Sequence, residues 1–345
     1  MKCLVTGGQG FVGRYLIARL IELDEDVEVV AIGRSGADNT SFTHKVHSGD
    51  RMVVAPLSDA VRQAWALGRI KYHALDINDQ DALQDLLQRF RPSVVFHLAS
   101  GLRDDPPPHL FRTNVEGTIN LLEAISQTRS SITSLVIGSS GAVYGYGSDK
   151  NVPLKESASC SPTDLYSASK LASEHVSRIL AERYCIPVVW ARMFNLVGAG
   201  QDERHICGRV AAQASAIAFG MKLDRVVEVG DLSATRDFID VRDVAGALLL
   251  LAKAGTSGTI YNVATGVETS IERVVHLILD IAGLSGTVSV TRSYRRDADI
   301  PRNFADISRL TELGFRPAYR LRDSLVSVFN YYSKTLPETE AALQR

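Results

Sequence analysis

The chain has 345 residues, 45% hydrophobic and 22% charged, which is ample for a large core and for more than one lobe. A formal net charge of −1 excludes a general electrostatic pull toward nucleic acid or an acidic membrane, so any anion must be held by local clusters. The four cysteines (Cys3, Cys160, Cys185 and Cys207) are scattered without CxxC spacing, which predicts neither a disulfide framework nor a metal site and fits a reducing cytoplasm.

The chain opens on a strand at 3–6, with no signal-peptide pattern ahead of it. Gly7, Gly10 and Gly13 then space a GxxGxxG turn at the entry to a helix over 12–23. The first glycine permits a tight turn, the second lets backbone approach a pyrophosphate, and the third brings helix against strand. Free N–H groups at the helix start suit phosphate oxygens, so the turn predicts a dinucleotide site, with an ordinary glycine-rich turn as the alternative. A second strand at 27–32 ends in Gly33-Arg34-Ser35 with no carboxylate. An acid there grips the ribose of NAD, whereas Arg34 and Ser35 suit a 2′-phosphate, so NADP is favoured over NAD.

Residues 35–68 interrupt the alternation, with a possible helix around 57–67. A structureless loop of that length is unusual, so an excursion with its own structure or a flap is expected. A strand at 70–75 leads to Asp76, which either accepts from an adenine amino group or caps a helix over 79–90. Strands at 94–99, 135–139 and 188–192 alternate with helices at 110–128 and 166–184. This pattern predicts an α/β fold, a Rossmann-type doubly wound parallel sheet with helices on both faces. After 193 the alternation loosens. Helices at 206–219, 241–254 and 271–282 lie between short strands at 226–229, 238–241 and 260–263. They predict a smaller α/β substrate lobe over 193–333, some of it returning to the first domain (1–192), and a polar tail at 334–345. The apolar run 248–251 is too short to span a bilayer.

The helix at 166–184 begins Tyr166-Ser-Ala-Ser-Lys170. Residues four apart share a helix face, so the ammonium can favour the phenolate and lower the tyrosine pKa from about 10. That makes a proton donor and acceptor for neutral pH. Alone, the spacing is common on solvated helices.

The glycine turn is followed in order by His97-Leu98-Ala99, Asn114-Val115-Glu116-Gly117-Thr118, Ser139-Ser140-Gly141-Ala142-Val143-Tyr144-Gly145 and the Tyr166–Lys170 pair. Arg192-Met193-Phe194-Asn195, Ala234-Thr235-Arg236-Asp237-Phe238 and Arg296-Asp297-Ala298-Asp299 come after. Over about residues 2–330 this series resembles the extended short-chain dehydrogenases/reductases, the nucleotide-sugar epimerases, dehydratases and reductases. The resemblance implies that Ser140 holds the reacting oxygen, Tyr166 is the acid/base, and Lys170 bonds the nicotinamide ribose and tunes Tyr166. It implies a cofactor lined by Gly7, Gly10, Phe11, Val12, Gly13, Arg34, Ser35, Asp76, Ile77, Leu98, Ala99 and Asn114. Asn195, Arg236 and Arg296 would contact the diphosphate of a sugar nucleotide. A homodimer built on the helices at 110–128 and 166–184 is also implied.

Gly141 and Ala142 stand where 4,6-dehydratases of the family carry aspartate then glutamate, and where decarboxylating relatives use glutamate, so both chemistries are disfavoured. Two classes stay open. A reductase passes a hydride from NADPH to a 4-keto-6-deoxyhexose, and a redox-neutral 4-epimerase works with tightly bound NAD. Phe194-Asn195, Gly198-Ala199-Gly200-Gln201 and Val229-Gly230-Asp231-Leu232 resemble the GDP-4-keto-6-deoxymannose reductases, which favours a GDP-sugar. Ala199, where those enzymes tend to carry proline, Ala142, whose position is often acidic in them, and the 35–68 stretch depart from them. A non-catalytic dinucleotide-binding regulator is the third reading, and intact Ser140, Tyr166 and Lys170 argue against it.

Overall fold

The computed structural model describes residues 1–48, 51–128, 132–145, 152–292 and 300–336. The apolar β1 (Lys2–Thr6) turns through the glycines into α1 (Phe11–Leu23) and returns as β2 (Glu28–Gly33). The excursion follows as β3 (Ser41–Ser48), β4 (Arg51–Pro56) and α2 (Asp59–Ala66), and the chain rejoins the sheet at β5 (Ile70–Ala74). Next come α3 (Gln80–Phe90), β6 (Val94–His97) and α4 (Pro107–Phe111), with a π-helical turn (Arg112–Glu116) leading into α5 (Gly117–Gln127). The helix expected at 110–128 is therefore broken by a wider turn. β7 (Ser134–Ser140), a 3₁₀ turn (Gly141–Tyr144), α6 (Leu165–Tyr184) and β8 (Val188–Met193) complete the first half.

The second half runs β9 (Asn195–Val197), α7 (Ile206–Ala218), β10 (Val226–Val229), β11 (Thr235–Asp240), α8 (Val241–Ala254) and β12 (Ile260–Val263). It ends in β13 (Glu268–Ser270), α9 (Ile271–Ile281), β14 (Ser289–Arg292), β15 (Arg302–Asn303), α10 (Ser308–Glu312) and α11 (Leu321–Thr335). Asp240 accepts from the Arg242 amide at 2.9 Å and so starts α8 at Val241. This is why the strand expected at 238–241 lies at Thr235–Asp240 instead.

Seven strands pair in parallel in the order β12-β8-β7-β6-β1-β2-β5. Strand direction of travel reverses between β1 and β6, the switch point where doubly wound sheets bind ligands. Alternation along β1 sends Cys3 and Val5 to one face and Leu4 to the other. The first face is covered by α1 and α8, the second by α3, α5 and α6. β12 lies at the sheet edge beside β8, so a segment from the second half completes the first sheet. In the lobe, β11 pairs with β9, β13 and β15, and β10 pairs with β14.

The excursion is a hairpin and a helix with a core of their own. Phe42, Val46, Ala55, Leu57, Val61 and Trp65 are buried. Trp65 lies under Arg14 of α1, with the guanidinium carbon 3.9 Å from the ring centroid. Arg14 is fully buried and donates to the carbonyls of Asp38 and Ser41, while its Nε and Nη1 have no partner. Burial pushes its pKa down to about 10. The Phe42 ring sits 6.0 Å from that of Phe11 and fills the space where a side chain on Gly200 would lie. At the rim, His47 pairs with Glu203 at 2.6 Å, Tyr331 donates to the Pro56 carbonyl at 2.9 Å and Lys334 meets Asp59 at 2.9 Å. The polar tail expected from 334 thus begins inside α11, and the rest of it lies outside the described residues.

Candidate active site

The glycine turn leaves little room for side chains. A Cβ on Gly13 would lie 2.3 Å from the Gly7 carbonyl oxygen, and one on Gly7 would lie 2.8 Å from the Ala99 amide nitrogen. Gly7 also has φ of +69°, the left-handed region. α1 begins after Gly10 with no side-chain cap and no acid in its first turn. Its first N–H groups therefore face outward with a partial positive charge. Nearby, Gln9 Nε2 is buried without a partner. Bare amides, no competing carboxylate and an open helix end fit a pyrophosphate.

Behind the turn runs a neutral chain of hydroxyls. Thr6 accepts from the Leu98 amide at 3.1 Å and the Ala99 amide at 3.0 Å, so its own proton goes to His97 Nδ1 at 2.8 Å. His97 Nε2 lies 3.0 Å from Thr118, whose proton goes to the Asn114 carbonyl at 2.6 Å. This order assigns the proton of His97 to Nε2. Burial first, then the Lys170 charge, pushes the His97 pKa down to about 3, so the ring is neutral.

Ser140, Tyr166 and Lys170 come together at the carboxyl end of β7. Ser140 ends the strand and accepts from the Ala142 amide at 3.1 Å. Its hydroxyl is also near enough to Tyr166 to act on the phenol, opposing the rise in its pKa. Asp164 caps α6 by accepting from the Ser167 amide at 2.8 Å, which places Tyr166 in the first turn. Lys170, one turn on and buried, donates to the Gly138 carbonyl at 2.9 Å. Burial pushes its pKa down to about 8, while Glu174 acts in the opposite direction.

The expected direction for Tyr166 is reversed here. Burial raises its pKa, and the groups that oppose the rise are Ser140 and Arg103, with Asp164 adding to it. The physical reason is that the ring is desolvated and the Lys170 ammonium is bonded to Gly138 rather than to the phenol.

α6 turns a polar face inward: Ser167, Ser169, Lys170, Ser173, Glu174 and Ser177 are all buried. Glu174 takes a two-pronged bond from Arg192, at 2.9 and 2.7 Å, and accepts from Ser139 as well. Both members of this pair are 4% exposed. The pair escaped sequence reading, although Glu174 is four residues beyond Lys170 and so shares its face.

Other expected cofactor residues differ in position. Phe11 and Val12 open α1, and Leu98 and Ala99 follow β6 across the crevice from Gly7. Arg34 is exposed and donates to the His109 ring, and the Ser35 carbonyl accepts from Tyr72 at 2.8 Å. Asp76 accepts from the Asn78 amide at 2.9 Å, while Asp79, bonded to the Ala82 amide at 3.1 Å, caps α3. The cap alternative for Asp76 is thus corrected, because the helix starts three residues later. Ile77 is buried against Gly117. Asn114 is buried, accepting from Gly101 at 2.8 Å and donating to Ser169 at 2.8 Å, so it joins the loop after β6 to α6.

In the lobe, Asn195 and Arg236 are half-buried on the paired strands β9 and β11. Asn195 donates to the Asp237 carbonyl at 3.2 Å, and Arg236 donates to the carbonyls of Thr235 and Ile300 at 2.8 and 2.7 Å. The Asp237 carboxylate is turned to Thr265 and Gly266. Arg296 and Asp299 lie outside the described residues. Gly141 faces the Phe194 ring, and a Cβ there would lie 2.9 Å from it. No cluster of metal-binding side chains occurs among the described residues, and no helix among them is long and apolar enough to cross a membrane.

Comparison with known proteins agrees with this geometry. A model of the NAD dependent epimerase/dehydratase family matches residues 3–264. GDP-6-deoxy-D-mannose reductase of Pseudomonas aeruginosa is 32% identical over 286 residues, 81% of this chain and 92% of that protein. UDP-glucose 4-epimerase of Mycolicibacterium smegmatis is 30% identical over 339 residues, 96% of this chain and 98% of that protein. The solved structure of RMD from Pseudomonas aeruginosa complexed with NADPH superimposes with a TM-score of 0.78 at 27% identity, covering 97% of this chain and 99% of that one. With its cradle, its Ser140–Tyr166–Lys170 site and these relatives, the chain belongs to the NAD dependent epimerase/dehydratase family of extended short-chain dehydrogenases/reductases and is an NAD(P)-dependent enzyme.

Proposed function

We propose that the protein reduces a nucleotide-linked 4-keto-6-deoxyhexose, with a GDP-sugar as substrate and NADPH as the preferred reductant. The observation that carries this reading is the Ser140–Tyr166 hydroxyl pair at the end of β7, followed by two positions without a carboxylate. The 32% identical GDP-6-deoxy-D-mannose reductase supports the choice of sugar.

NADPH, when bound, supplies the hydride. Ser140 and Tyr166 hydrogen-bond the C4 carbonyl and stabilise the oxyanion as it forms. Tyr166 donates its hydroxyl proton to that oxygen, a role suited to a phenol that burial keeps protonated. Lys170 holds a positive charge one turn away and bonds the nicotinamide ribose. Gly7, Gly10, Phe11, Val12 and Gly13 receive the pyrophosphate, while Arg34 and Ser35 receive the 2′-phosphate. Leu98, Ala99, Asp76, Ile77 and Asn114 complete the cofactor wall, the last two by shaping it from beneath. Asn195, Arg236 and Arg296 hold the sugar nucleotide's diphosphate, and that remote binding positions C4 for the hydride.

In this reading residues 1–192 form the cofactor half and 193–333 most of the substrate half. α8 and β12 belong to the first, since they pack on α1 and β8. A homodimer through α5 and α6 is supported by Leu165 and Ile179, which stand exposed on α6.

The second reading is a 4-epimerase with retained NAD, favoured by the 30% identical UDP-glucose 4-epimerase that matches 96% of this chain. One assay separates them. The purified protein's bound dinucleotide is identified, and NADPH loss is followed with GDP-4-keto-6-deoxymannose. Stoichiometric NADPH loss is the expected result. Tightly bound NAD, no NADPH loss and interconversion of UDP-hexoses would transfer the assignment to the epimerase.

A further inference from the structure

We infer that Arg103 is a positioning residue for proton transfer, a cation held over the Tyr166 ring that stabilises the phenolate formed when Tyr166 gives up its proton. This rests on Tyr166 as the acid/base. The guanidinium carbon lies 5.5 Å from the Tyr166 ring centroid. Its Nε is 2.7 Å from Asp164, the residue that caps α6. One carboxylate therefore sets both the start of the helix and the place of the cation. The loop that carries Arg103 is held on both sides. Gly101 donates to Asn114 at 2.8 Å, and Leu102 donates to Asp105 at 2.8 Å.

The groups that act on Tyr166 are Ser140 from β7, Asp164 at the cap of its own helix and Arg103 from the loop after β6, and Lys170 stands one turn along that helix. Of the two cations, Lys170 is already bonded to the Gly138 carbonyl and lies beside Glu174. Arg103 reaches the Tyr166 ring from the loop after β6. A cation over a neutral ring gains little, but the same cation beside a phenolate gains a full charge–charge attraction. Its effect therefore grows as the proton leaves, which is the differential stabilisation that speeds a step. Arg103 is 43% exposed, so solvent screens part of that attraction.

The test uses the NADP-bound protein with tyrosine labelled at Cζ, the Tyr166 signal being assigned by its loss in Tyr166→Phe. At a fixed alkaline pH, Arg103→Gln lowers the phenolate-to-phenol ratio of Tyr166 by about three- to tenfold. Arg103→Lys retains most of the wild-type ratio. In turnover, kcat falls in Arg103→Gln while KM changes little. An unchanged ratio in Arg103→Gln overturns the inference, as does a Lys variant displaced as far as the Gln variant. The ratio is read without any sugar nucleotide. A wrong substrate class therefore leaves this test standing, and a failed test leaves the reductase reading standing.

Discussion

Helix α6 and the inserted hairpin with α2 bury similar lengths of chain by opposite means. α6 hides serines, a lysine and a glutamate, each matched to a named partner. The insertion hides Phe42, Val46, Leu57 and Val61, which need only volume and shape around them. A buried polar face is satisfied in one register alone, since a slip would strand donors and acceptors at about 1–3 kcal/mol each. An apolar face tolerates exchange of one hydrocarbon for another of like volume. α6 thus uses specificity of placement, and the insertion adds packing behind it.

Variants can break this division of labour. Tyr166→Phe should lower kcat by about 10²–10⁴-fold with cofactor affinity and thermal midpoint nearly unchanged. Single-turnover kinetics and cofactor titration check it, and an active variant would remove Tyr166 from the mechanism. Phe42→Ala should do the reverse, with stability falling by about 3–5 kcal/mol in denaturant titration and little change in turnover at saturating cofactor. If turnover collapsed while stability held, the insertion would be part of the chemistry. Arg34→Ala lies between the two regions. It should weaken NADPH about tenfold and leave NADH nearly unaffected, measured by fluorescence titration.

The sheet was legible because strands buried on both faces are short apolar runs, and 94–99 and 188–192 have that character. The glycine turn and the Tyr166–Lys170 spacing were legible because their geometry is local. The hairpin was not read, since β3 mixes His44, Lys45 and His47 with its apolar residues. Its signal was the alternation Phe42, His44, Val46, Ser48, two of them apolar and all on one side of a strand. Arg103 could not be read at all. It lies in an aperiodic loop and meets Tyr166 only because the fold returns there. The Tyr166 pKa was misjudged for a related reason: spacing reports which side chains are near, but burial is a property of the whole fold.

Gly141 carries a consequence for how this scaffold can change its trade. The place after Ser140 is filled by the ring of Phe194, so an acid introduced there meets an aromatic ring before it meets a sugar. Gaining a dehydratase's carboxylates would therefore take at least two coordinated substitutions, the first of which empties hydrocarbon from a closed wall. The barrier between the chemistries is one of occupied space as much as of missing charge.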